Sequence, residues 1–75
     1  MELINIGIAG CLGRMGRELV KKSIEDSRIN FAGGFEHPGH NLINKNLSEI
    51  LECETNQTVS SNAEEIFSNS DVVID

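Results

Sequence analysis

The chain has 75 residues, 39% hydrophobic and 24% charged, with 7 glycines and 1 proline, which is room for one small domain of ordinary globular composition. This composition excludes collagen and intrinsic disorder, and no apolar run approaches the ~20 residues that a membrane span needs. A net charge of -6 argues against nucleic acid or an anionic membrane as partner, because both select a basic face.

The charge is unevenly placed. Residues 1 to 45 carry all 6 basic side chains against 5 acidic ones, and residues 46 to 75 carry 7 acidic and none basic. Arg14, Arg17, Lys21 and Lys22 fall in one stretch directly after a glycine cluster. The Met1-Glu2 opening lacks the basic and apolar regions of a signal peptide, so a cytoplasmic location is expected. Cys11 and Cys53 lie far apart without metal-ligand spacing and are read as free thiols.

Leu3 to Ala9 alternates with period two, placing Ile4, Ile6 and Ile8 on one face, and predicts a first strand. With the Gly10 to Gly16 segment the period changes. Met15, Leu19, Val20 and Ile24 recur at helical spacing opposite Arg17, Glu18, Lys21, Lys22 and Glu25, predicting a helix from about Arg14 to Glu25 with a solvated basic face. Ile29, Phe31, Gly33 and Phe35 alternate again as a second strand ending near Glu36. Strand, helix and strand in so short a span form a βαβ unit with parallel strands. His37-Pro38-Gly39-His40-Asn41 is turn chemistry, and His40 is read as a solvated loop histidine.

Leu47, Ile50 and Leu51 predict a short helix capped by Asn46 or Ser48. A short third strand is placed around Thr58-Val59-Ser60. Ser61 or Asn62 caps a further helix through Phe67, with Glu64 and Glu65 in its first turn. Val72-Val73-Ile74, apolar without alternation, has the pattern of a strand covered on both faces of a parallel sheet. A chain ending inside such a strand is expected to be a piece of a longer protein.

The chemistry concentrates in Gly10-Cys11-Leu12-Gly13-Arg14-Met15-Gly16, between strand and helix. Dinucleotide binding requires a tight turn, a backbone that approaches a pyrophosphate without Cβ atoms, and close helix–strand packing; Gly10, Gly13 and Gly16 can fill these roles. The G-x-x-G-x-x-G spacing departs from G-x-G-x-x-G at its second glycine. Its context strengthens it, because Glu36 stands about 20 residues on, at the end of the second strand, where an acid bonding the adenosine ribose belongs. The helix N-terminus would face the pyrophosphate, and Arg14 could add a charge-assisted contact. A carboxylate at Glu36 favours NADH over NADPH, whose 2′-phosphate it repels, while His37 and Arg14 leave NADPH usable.

Gly10 to Arg17, Gly34-Phe35-Glu36 and the closing Asp71-Val72-Val73-Ile74-Asp75 together resemble the N-terminal region of the 4-hydroxy-tetrahydrodipicolinate reductase family, also called dihydrodipicolinate reductases. The Gly13-Arg14-Met15-Gly16-Arg17 run is the most specific part. The resemblance implies a cytoplasmic homotetrameric enzyme of the lysine and diaminopimelate pathway that transfers hydride from NADH or NADPH to a cyclic dicarboxylate. It also implies that Gly10 through Met15 form the phosphate loop, that Glu36 binds the ribose, and that His37 stands where some members carry a base for the 2′-phosphate. Cys11 replaces a smaller residue, often Ala, and is expected to expose a thiol near the cofactor.

Family members continue past the position of Asp75 into a substrate and tetramerisation domain with paired histidines and a catalytic lysine, so residues 1–75 hold no assignable catalytic residue. The expected fold is the first half of a Rossmann-like α/β parallel sheet, β-α-β-α-β-α-β, with strand order 3-2-1-4. Two other readings share that fold: a regulatory module that senses NAD(H) without chemistry, and another Rossmann oxidoreductase. Sequence beyond Asp75 would separate them.

Overall fold

Alternation of β-branched and small residues produces the first element of the computed structural model, which describes residues 2–75. Strand β1 (Ile4–Ala9) leads to helix α1 (Arg14–Glu25), strand β2 (Ile29–Phe35), helix α2 (Leu47–Leu51), strand β3 (Val59–Ser60), helix α3 (Ala63–Asn69) and strand β4 (Val72–Ile74). The four strands run parallel in the order β3-β2-β1-β4. This is the Rossmann-like arrangement that the sequence implies, with the switch in strand direction of travel between β1 and β4.

The two faces of the sheet are built differently. Ile6 and Ile8 of β1, Phe31 of β2 and Val59 of β3 pack with Leu12 and Val20 of the first crossover and Leu47 and Leu51 of α2. Ile8, Val20, Leu47 and Val59 are fully buried, each contributing about 1.5–3 kcal/mol by leaving water. Ile4 follows the same alternation but remains 50% exposed at the start of the strand. On the opposite face, α3 lies close because β1 and β2 present glycines: a Cβ at Gly7 or Gly33 would stand 2.6 Å from an Ile66 methyl.

The expected alternation of Phe31, Gly33 and Phe35 is broken. Ile6 pairs with Phe31 but Gly7 pairs with Gly33, so Ala32 is an extra residue in a β-bulge. Gly33 has φ +142 there, a conformation reserved for glycine. Phe31 therefore faces the main core, while Phe35 turns to the α3 face and meets Phe67 with ring centroids 6.0 Å apart.

Asn62 is the α3 cap: its side chain accepts the Glu65 N–H at 3.1 Å. The helix runs on to Asn69 rather than stopping at Phe67. Asn46 holds the N-cap position of α2 without a side-chain bond. Strand β4 is the last element of this chain. It pairs with β1 at the sheet edge, with Val72 49% exposed and Val73 and Ile74 half-buried. No helix among the described residues is long and apolar enough to cross a membrane.

Candidate functional site

The glycine segment leaves the C-terminal end of β1 and is held by hydrogen bonds on every side. Gly10 takes φ +63, and a Cβ there would meet nothing within 4 Å, so it borders open space. The N–H groups of Gly10 and Cys11 both donate to the Phe35 carbonyl, at 2.9 and 3.3 Å. The Leu12 N–H donates to Oε2 of Glu36 at 2.8 Å. The Gly13 N–H returns to the Gly10 carbonyl at 2.9 Å. The turn thus satisfies its own donors before α1 begins.

Gly13 is the N-cap of α1 and offers no capping side chain, and the first turn contains no acidic residue. The N–H groups of Arg14, Met15 and Gly16 precede any i−4 partner within the helix and are left open. Together with the helix dipole they give this end of α1 a partial positive charge. Gly16 lets the helix approach this closely, since a Cβ there would overlap the Gly10 carbonyl oxygen and stand 2.9 Å from the Cys11 Cα. Arg14 and Met15 are exposed at the mouth, Met15 at 69%; this corrects the placement of Met15 on the apolar helix face. Its slot is taken by Gly16, which is buried with Val20 and Ser23.

Beside the mouth lies a cleft of about 360 Å³ lined by Gly10, Phe35, Glu36, His37, Pro38 and the chain that leads from β3 into α3. Glu36 stands between loop and cleft, half-buried, with its own N–H bonded to the Ser60 carbonyl at 2.9 Å. His37 is exposed at the rim, where its Nδ1 accepts the Gly39 N–H at 3.2 Å. His40 is drawn into the same turn, with its ring 5.9 Å from that of His37. Gly10, Gly13, Arg14, Met15, Gly16, Glu36 and His37 therefore gather at one end of the sheet.

Cys11 and Leu12 join them through backbone alone, because both side chains turn into the core. The Cys11 side chain is fully buried and packs against Gly34, where a Cβ would stand 2.6 Å from the Cys11 Cβ. The expectation of an exposed thiol is thus wrong: the missing side chain at Gly34 makes room for it inside. Burial first, and the nearby Glu36 charge second, push the thiol up to about 11.

A raised thiol pKa favours the protonated native form, so its stabilisation is complete below the ordinary thiol value and disappears as pH rises toward about 11. Thermal unfolding should accordingly show wild type losing on the order of 1–2 kcal/mol between pH 8.5 and 11 relative to Cys11→Ala. Parallel pH profiles for the two proteins would refute this account of the thiol.

Arg17 is exposed on the solvated face where the sequence placed it, but sequence reasoning missed its hold on the loop. Its Nε–H donates to the Leu12 carbonyl at 2.8 Å. The signal was its position one turn after Gly13, which points a long side chain back over the loop. Ser61 and Ala63, at the far side of the cleft, left no such signal, because they arrive only when β3 pairs with β2.

Fold and loop together define a Rossmann-like α/β unit whose glycine turn leads from the end of its first strand into its first helix. The family described as dihydrodipicolinate reductase, N-terminus, matches residues 4–75, and the chain belongs to it. A 4-hydroxy-tetrahydrodipicolinate reductase of Anaplasma marginale (strain St. Maries) is 36% identical over 72 residues, 96% of this chain and 28% of the relative. Those of Ehrlichia chaffeensis (strain ATCC CRL-10679 / Arkansas) and Syntrophobacter fumaroxidans (strain DSM 10017 / MPOB) are 33% and 36% identical, covering 100% and 97% of this chain. The chain spans about 28% of the length of these relatives.

Proposed function

We propose that residues 1–75 are the N-terminal part of an NAD(P)H-binding domain, in a reductase that transfers hydride to a cyclic dicarboxylate in lysine and diaminopimelate biosynthesis. The observation carrying this reading is that the exposed first turn of α1, with the N–H groups of Arg14 and Met15 free of backbone partners, and the Glu36 carboxylate meet at the same glycine turn. The glycines leave the space that a pyrophosphate needs, which a side chain at Gly13 would occupy. The N–H groups of Arg14 and Met15 bind the phosphate oxygens, the Arg14 guanidinium adds charge, and Gly10 and Gly16 set the approach of turn and helix. Cys11 and Leu12 contribute the backbone of the turn.

One Glu36 oxygen already holds the Leu12 N–H. The other accepts a ribose hydroxyl, and the adenosine enters the cleft beside Phe35 and His37. The bound nicotinamide supplies the hydride; this chain supplies orientation and charge, and no catalytic residue is assigned to it. The substrate-binding groups and a homotetramer interface belong to the remainder of a full-length cytoplasmic enzyme.

Glu36 makes NADH the favoured cofactor, with NADPH usable at the rim formed by His37 and Arg14. Titration should give tighter binding of NADH than of NADPH. Glu36→Gln keeps an acceptor for the Leu12 N–H while removing the charge, and should narrow that preference by about tenfold, equivalent to ~1.4 kcal/mol. A clear NADPH preference in the wild type would sink the role given to Glu36.

A further inference from the structure

We propose that Arg17 is a positioning residue that braces the phosphate-binding loop by fixing the Leu12–Gly13 peptide. The inference rests on the nucleotide-binding reading above and deepens it. The N–H of that peptide is held by the Gly10 carbonyl at 2.9 Å and its C=O by Arg17 Nε at 2.8 Å. The Arg17 backbone N–H takes the next carbonyl, that of Gly13, at 2.9 Å. One residue thus draws both carbonyls that close the loop back over α1.

The need for such a brace follows from Gly13. Glycine opens the helix mouth to a ligand, but it leaves the preceding peptide free to rotate at little cost. A rotated Leu12 carbonyl would aim its negative end at the space an anion must enter. Arg17 holds that oxygen with a charge-assisted hydrogen bond, stronger than a neutral one. On the other side of Leu12, its N–H is held by the opposite charge of Glu36 at 2.8 Å. Leu12 itself is 7% exposed, so its side chain anchors the segment between the two charged groups.

The test compares wild type with Arg17→Met, which keeps the apolar stem of this exposed side chain, and Arg17→Lys. NADH affinity should fall about tenfold in Arg17→Met, while affinity for adenosine, which lacks phosphate, stays unchanged. Arg17→Lys, with a charge but no planar fork, should fall between the two. In the protein without nucleotide, exchange of the Gly13 amide proton with solvent should accelerate by about tenfold in Arg17→Met. Unchanged NADH affinity, an equal loss for NADH and adenosine, or unaltered Gly13 exchange would each overturn the proposal. A wild type that binds neither NADH nor NADPH would instead overturn the nucleotide-binding reading, and the exchange measurement would still decide whether Arg17 braces the loop.

Discussion

Gly16→Ala is expected to destabilise the fold by about 3 kcal/mol, near the upper end of what overpacking costs. Two effects compete at this position. Alanine is the better helix former, by up to ~1 kcal/mol. Against that, the added methyl overlaps the Gly10 carbonyl oxygen and lies 2.9 Å from the Gly10 carbonyl carbon and the Cys11 Cα. These are backbone atoms of a turn pinned to Phe35, so no side-chain rotation relieves them, and the steric term wins. A domain of this size has a total stability of roughly 4–11 kcal/mol. Urea unfolding of the two proteins decides the matter; a variant as stable as wild type would mean that α1 does not sit against the turn as described.

Gly13→Val should have the opposite profile, an intact fold with nucleotide affinity reduced by about 100-fold, or ~2.7 kcal/mol. The backbone at Gly13, φ -70 and ψ 168, is extended and suits a β-branched residue. Its Cβ would come 3.3 Å from the Gly10 oxygen, a tight contact that a shift of a few tenths of an ångström relieves. An N-cap side chain lies against the N–H groups of the helix's first turn, where polar caps bond them. Valine offers methyl groups instead, covering the donors assigned to the pyrophosphate. Calorimetric titration with NADH, alongside a thermal melt, tests both halves. Full affinity in a folded Gly13→Val protein would remove the phosphate from this loop.

Gly16 and Gly13 carry the same letter in one motif yet fail in different ways, and sequence spacing alone does not tell them apart. What separates them is the neighbour each would strike: fixed backbone for Gly16, and mostly open space for Gly13. Cys11 shows the same limit. Its place in the loop suggested an exposed thiol, but whether the side chain points out or in depends on Gly34, more than 20 residues away. Glu36 was legible because its distance from the glycines follows from the length of a helix and a strand. Its bond to Leu12 was not, since that requires the two strand ends to lie side by side.

By itself, the sequence determined what local chemistry controls: the position of α1, the four strands and their order, the acid at the end of β2, and the glycine turn between β1 and α1. Periodicity and turn residues act over a few neighbours, and a βαβ unit leaves few ways to pair its strands. Tertiary structure alone decided the bulge at Ala32 that sends Phe31 and Phe35 to opposite faces, the burial of Cys11, the exposure of Met15, and the hold of Arg17 on the loop. Each of these depends on which atom of a distant segment occupies the adjoining space, and that is settled only when the sheet closes against its helices.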